Sequence, residues 1–162
     1  MPVYIALGSN LGDSASTVER AFVELQKLSD RPIRKSSLWR STPVDCLPGS
    51  PDFINAGVSL EPLEGETPES LLAKLQSVEV EFGRKPKKVL NEPRPLDLDL
   101  IAFGEEIRET IQLTLPHPRW DQRRFVLEPL SEIAPEAILP GQTRPVIQLL
   151  SELDTMEDLV RL

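Results

Sequence analysis

Two carboxylates separated by a single residue are the strongest chemical signal in the chain: Asp97 and Asp99, in the run Arg94-Pro95-Leu96-Asp97-Leu98-Asp99-Leu100-Ile101. The alternation predicts a β-strand with Leu96, Leu98 and Leu100 on one face and both aspartates on the other. At ~3.3 Å rise per residue, the aspartates stand roughly 6.5–7 Å apart. Carboxylates held side by side at that spacing can bridge one divalent cation or share two. Hard oxygen ligands suit Mg2+, which keeps several waters and takes only one or two protein carboxylates. The plainer alternative is a strand whose outer face is simply acidic.

The segment just before the strand favours the chemical reading. Arg84-Lys85-Pro86-Lys87-Lys88-Val89-Leu90-Asn91-Glu92-Pro93-Arg94 holds five cations in eleven residues, in a chain with 26 Asp+Glu, 18 Lys+Arg and a net charge of −8. A basic cluster in an acidic protein acts locally and does not serve general attraction to nucleic acid. Beside paired carboxylates it suggests a metal–polyphosphate site, with Asp97 and Asp99 on Mg2+ and the cations on phosphate oxygens. Pro86, Pro93 and Pro95 interrupt any regular helix, so the segment reads as a loop.

The elements that must position these groups follow from hydrophobic periodicity. Val3 to Leu7 reads as a buried strand. Gly12-Asp13-Ser14 caps a helix with Val18, Ala21, Phe22, Leu25 and Leu28 at helical spacing. Ile33 to Trp39 is predicted as a second strand, Ser41 to Asp52 as an irregular stretch, and Phe53 to Leu60 as a third strand. Thr67-Pro68-Glu69 opens a helix through about Phe82, with Leu71, Leu72, Leu75, Val78 and Phe82 facing inward. Leu96–Phe103 is the fourth strand. The order is β-α-β-β-α-β, so the fold expected is α+β with a ferredoxin-like core. C-terminal additions follow: a short strand near Ile111–Leu115, a helix near Val126–Ile133 and an amphipathic stretch. One domain over residues 1–162 is expected.

Several function classes are set aside at this point. Cys46 is the only cysteine, which excludes an internal disulfide framework and fits a reducing compartment. No apolar run reaches ~18 residues and the N-terminus lacks a basic leader, so neither a membrane span nor a signal peptide is indicated. RNA-recognition domains share this element order but need aromatic residues on the central strands, whereas this chain has 5% aromatics and carries aspartates there. A soluble cytoplasmic monomer without nucleic-acid or membrane partners is expected. His117, the only histidine, lies near Arg119, Arg123 and Arg124, which suits phosphate contact. Phe53 and Phe125 are packing residues by default, although two rings facing across a pocket can sandwich a flat heterocycle. Asn55, two residues from Phe53, shares its strand face, where an amide can meet a ring edge.

These residues resemble those of the hydroxymethyl-dihydropterin pyrophosphokinase family, folate-pathway enzymes that move pyrophosphate from ATP to a pterin alcohol. The likeness runs from Tyr4-Ile5-Ala6-Leu7-Gly8-Ser9-Asn10-Leu11-Gly12 to Leu130-Ser131-Glu132-Ile133-Ala134-Pro135-Glu136. Its most specific block is Pro93-Arg94-x-Leu96-Asp97-Leu98-Asp99-Leu100, joined by Glu79-x-x-x-Gly83-Arg84 and Pro116-His117-Pro118-Arg119.

The resemblance implies a role for each matching residue. Asp97 and Asp99 would bind two Mg2+ ions between ATP and the pterin hydroxymethyl group. Arg84 and Arg94 would be catalytic arginines on a loop that closes over the triphosphate, with Lys87 a further phosphate contact. Gln76, Glu79, Leu100, Thr114, His117 and Arg123 would contact ATP. Phe53 and Phe125 would stack on the pterin, with Asn55, Thr42 and Pro43 at its edge, Gly8 at the pocket floor and Asp97 at the hydroxymethyl end. The chain departs from the family pattern at Asn91-Glu92, where a Trp-Gly pair is common, and at Pro118, where a tyrosine often follows the histidine. The alternative reading is a non-catalytic nucleotide- or pterin-binding module on the same fold, which would bind without forming AMP.

Overall fold

A strand as apolar as Val3–Ser9 needs cover on both faces, and this one has it (β1). The computed structural model describes residues 1–41, 51–83, 95–154 and 158–162. The strand is central in an antiparallel sheet, between β4 (Phe53–Leu60) and β5 (Asp97–Phe103). β2 (Arg34–Lys35) and β3 (Trp39–Ser41) both pair with β4, and β8 (Leu159–Arg161) adds to β3, giving the order β5-β1-β4-β3-β8. With α1 (Ser14–Gln26) after β1 and α2 (Pro68–Glu81) after β4, this is the α+β, ferredoxin-like arrangement expected.

Side chains at odd positions of β1 face the first two helices. Val3, Ile5 and Leu7 join Val18, Leu25, Leu71 and Leu75 in one core. On the other face Tyr4 and Ala6 meet α3 (Arg124–Ile133) and α4 (Val146–Glu152) through Leu127, Leu130, Val146 and Leu149. Local chemistry starts the helices where the residue types predict. The Asp13 side chain accepts the Ser16 N–H at 3.2 Å, and Thr67 and Ser70 form a reciprocal capping box ahead of Pro68. α3 approaches the sheet closely at Gly57, where an added Cβ would sit 3.3 Å from the Pro129 Cβ.

Two departures from the sequence reading have physical causes. The strand expected over Ile33 to Trp39 is broken into β2 and β3. Ser36 donates its N–H to the Gly57 carbonyl at 2.9 Å and accepts the Gly57 N–H on its Oγ at 2.8 Å. Ser37 turns its N–H and hydroxyl to the Glu132 carboxylate instead of continuing the ladder. In β5 the alternation holds only as far as Leu100. Ile5 faces Leu100 and Tyr4 faces Ala102, so Ile101 is an extra, bulged residue. Ile101 and Ala102 therefore both pack toward α3, and Phe103 returns to the opposite core. A hairpin of β6 (Arg108–Glu109) and β7 (Thr114–Leu115) follows. Sequence periodicity had marked only its second strand.

Candidate active site

The register of the sheet brings the predicted residues onto one face. Gly8 lies opposite Asp97 on one side and Asn55 on the other, and Asn55 lies opposite Trp39. One row thus runs Asp97–Gly8–Asn55–Trp39, and the next runs Asp99–Ala6–Gly57. Directly opposed residues point to the same side, and Gly57 meets Pro129, so this is the α3-facing side. Asp97 and Asp99 lie on it partly exposed, while Leu98 and Leu100 are buried opposite. A Cβ on Gly8 would lie 3.5 Å from Asn55 Oδ1 and 3.7 Å from Phe53 Cδ1. Glycine keeps that volume open as a floor beneath Phe53 and Asn55.

Phe53 is partly exposed at the start of β4, and Phe125 is partly exposed in the first turn of α3, which covers the same face. The Arg123 guanidinium lies 5.5 Å from the centroid of that ring. Two short bonds tie the ends of the site together. Ser9 Oγ donates to the Pro95 carbonyl at 2.6 Å, fixing the entry to β5, and Asn55 Nδ2 donates to Ser41 Oγ at 2.6 Å.

Glu79 has a structural function that its position on α2 explains. It falls on the inward stripe of the helix and is buried, so its carboxylate needs a donor. One donor is the Leu98 N–H, at 2.8 Å. β5 is an edge strand, so alternate backbone groups face away from β1, and Glu79 takes the amide lying between the two aspartates. The same alternation turns the amide and carbonyl of Leu100 outward. Glu79→Ala is expected to lower stability by about 1–3 kcal/mol, the cost of leaving a buried amide without an acceptor. Glu79→Gln, which keeps an acceptor oxygen, should lose less. Urea unfolding of the two variants checks this; equal losses would show that the Leu98 bond contributes nothing.

His117 borders the same edge, donating its backbone N–H to the Ile101 carbonyl at 2.8 Å and accepting the Arg119 N–H on Nδ1 at 3.3 Å. With Nδ1 accepting, the neutral ring carries its proton on Nε2, a donor suited to a phosphate oxygen. Burial, and then the charges of Arg123 and Arg119, hold its pKa below the ordinary 6.5. The neutral ring therefore stabilises the fold fully above pH 6.5, and that contribution is lost as pH falls through the lowered folded-state pKa. Melting temperatures from about pH 7.5 to about 5 should fall more steeply in the wild type than in His117→Gln. Parallel profiles would contradict this.

The remaining predicted residues are dispersed or lie outside the description. Gln76 is exposed on α2, one turn before Glu79, and Thr114 is exposed on β7. Thr42, Pro43, Arg84, Lys87 and Arg94, together with Asn91 and Glu92, lie outside the described residues. Sequence reasoning did not single out Ser41 or Glu132. The Glu132 carboxylate accepts from the Ser37 N–H, the Ser37 hydroxyl and Trp39 Nε1, and so joins α3 to β3. No sequence signal identifies such partners, which meet only across the sheet.

For Mg2+, the donor set is what decides the fit. Asp97 and Asp99 are hard oxygen donors on one strand face, and among the described residues no group of three or more His, Cys, Asp or Glu could enclose a metal. Paired carboxylates of this kind suit a cation that completes its shell with waters and phosphate oxygens. Among the described residues no helix is long and apolar enough to cross a membrane.

Fold and register together define the class: an α+β protein with a carboxylate pair borne on its antiparallel sheet. Residues 4–135 match the family model for 7,8-dihydro-6-hydroxymethylpterin-pyrophosphokinase (HPPK), and the chain belongs to that family. It is 37% identical to the Synechocystis 2-amino-4-hydroxy-6-hydroxymethyldihydropteridine pyrophosphokinase, covering 93% of this chain and 75% of that protein. Identity with the Haemophilus influenzae enzyme of the same name is 36%, over 93% of this chain and 89% of that one. The solved wild-type Plasmodium falciparum HPPK-DHPS with pteroate superimposes with a TM-score of 0.74 at 13% identity, covering 93% of this chain and 44% of that chain. That last likeness concerns the fold.

Proposed function

We propose that this chain carries out its family's reaction with Mg2+ held at Asp97 and Asp99. Pyrophosphate passes from ATP to the hydroxymethyl group of 6-hydroxymethyl-7,8-dihydropterin, and AMP is released, a step of folate biosynthesis. The observation that carries the reading is the row Asp97–Gly8–Asn55: a carboxylate, an open floor and an amide side by side, with Phe53 above the floor. The pterin ring would lie over Gly8 between Phe53 and Phe125, its polar edge toward Asn55, Thr42 and Pro43 and its hydroxymethyl group toward Asp97.

ATP would lie along the β5 edge, its base against the outward backbone of Leu100 and its phosphates near His117 and Arg123, with Gln76, Glu79 and Thr114 bordering it. Two Mg2+ ions at the aspartates would neutralise phosphate charge and raise the acidity of the alcohol. The residues themselves supply alignment: stacking rings and a fixed amide hold the alcohol, and the cationic edge holds the phosphates in line with it. Arg84 and Arg94, with Lys87, are assigned to charge on the transferring group, where a preorganised cation contributes several kcal/mol.

AMP release from ATP and Mg2+, measured with and without 6-hydroxymethyl-dihydropterin, tests the proposal. Pterin-dependent AMP that disappears without Mg2+ is the expected result. Binding of both ligands with no AMP would instead identify a non-catalytic binding module.

A further inference from the structure

A second cleft lies on the α3-facing side of the sheet, two rows away from Asp97 and Gly8. Beyond the row Asp99–Ala6–Gly57, the next residues on that side are Ala102, Tyr4, Ser59 and Arg34, side by side across β5, β1, β4 and β2. α3 covers Gly57 through Pro129 and ends at Ile133. Where the chain leaves the helix, a cavity of about 480 Å3 opens between this row and residues 133–137. Along β1 it is four residues from Gly8, about 13 Å at the rise of a strand.

The wall of this cavity carries donors in want of an acceptor. Tyr4 is only 8% exposed, yet among the described residues its hydroxyl has no hydrogen-bond partner, a costly state for a buried polar group. Burial, and then the charge of Glu61, raise its pKa above the ordinary 10.0 against the opposing charge of Arg34, so the phenol stays a neutral donor. The Arg31 guanidinium likewise has no partner among the described residues. Arg34 gives Nη1 to the Ile133 carbonyl at 3.1 Å, which leaves the rest of its five-donor fork. Of the two carboxylates in the wall, Glu61 is paired with the Met1 ammonium at 3.0 Å, and Glu136 is exposed. Pro2, Pro32 and Ala134 supply apolar surface between these groups. We propose that this cavity binds a small organic acid, its carboxylate held by Arg31, Arg34 and the Tyr4 hydroxyl and its ring laid against the prolines. An arginine fork matches a carboxylate in geometry as well as charge. The apolar walls and the nearby Glu136 favour a singly charged anion with an apolar body over inorganic phosphate. The site is separate from the pterin pocket and stands whether or not that pocket is correctly assigned.

Calorimetric titration with 2-naphthoate tests the proposal, with 2-naphthylmethanol and inorganic phosphate as comparison probes. One naphthoate per chain is expected, bound at least about tenfold more tightly than the uncharged alcohol or phosphate. Tyr4→Phe, which removes only the hydroxyl, and Arg31→Ala, at an exposed position, should each weaken it about tenfold, roughly the worth of one charge-assisted hydrogen bond. Saturating ATP with Mg2+, or 6-hydroxymethylpterin, should leave naphthoate affinity within about twofold. Tyr4 is the only tyrosine in the chain, so a tyrosine-labelled sample gives one set of ring signals in NMR, and these should shift in step with saturation. Undiminished affinity in either variant, an unmoved tyrosine signal, or phosphate binding as tightly as naphthoate overturns the proposal. So does displacement by ATP or pterin, which would put the acid in the active site, and so does the absence of saturable binding.

Discussion

Asp97→Asn is expected to reduce pterin-dependent AMP formation by about a thousandfold or more while leaving pterin affinity within a fewfold. The substitution preserves size and strand geometry, so Gly8, opposite Asp97 in the ladder, and Asn55 beyond it keep their places. What it removes is one of two anionic oxygen donors on that face. A neutral amide is a poor ligand for a hard cation. Loss of about 4 kcal/mol of transition-state stabilisation corresponds to three powers of ten in rate, the scale expected for a metal that neutralises a polyanionic phosphate donor. The assay pairs AMP release across a Mg2+ titration with direct pterin binding. Near-normal turnover at ordinary Mg2+ concentrations would remove Asp97 from the metal site. A rate recovered only at high Mg2+ would support it, since weakened coordination is then overcome by mass action.

The largest stability effect is expected at Leu127, fully buried in the core between the sheet and α4. Leu127→Ala should lower unfolding free energy by about 2–5 kcal/mol, through lost transfer energy and the cavity left behind. That is a large part of the roughly 5–15 kcal/mol typical of a whole domain. Ile138, 51% exposed, is the control, and its replacement by alanine should stay within about 0.5 kcal/mol. Paired urea titrations decide the matter. Similar midpoints for the two variants would mean that α3 is not held to the sheet through this side chain. Because Leu127 lies two residues from Phe125, the same variant should also raise the KM for pterin more than that for ATP.

Much of the scaffold could be read from residue order. β1, β4 and α2 lie where periodicity and caps place them, because their signals are local: apolar runs between turn residues, and Thr67-Pro68 ahead of a helical stripe. The bulge at Ile101 could not be read, since an apolar residue satisfies either face and only pairing with β1 decides. The break at Ser36 was equally hidden: it depends on a hydroxyl reaching Gly57, 21 positions along the chain. In the site, alternation alone put Asp97 and Asp99 together, whereas the stacking pair and the ATP contacts rested on resemblance to a family. Glu79 was half legible. The resemblance named it as an ATP contact, but nothing in the chain order marked it as buried or named Leu98 as a donor to it. Ser41 was not legible, because it meets Asn55 only through the β3–β4 register.

The edge of β5 has a significance beyond ligand placement. An uncovered strand edge is a template on which another chain can add by backbone pairing. Here the Leu98 N–H is taken by Glu79 and the Ile101 carbonyl by the His117 N–H. The bulge at Ile101 interrupts the ladder between them. Among the described residues, the stretch of edge between these two bonds is too short for a second strand. The edge is thereby blunted against pairing with another chain.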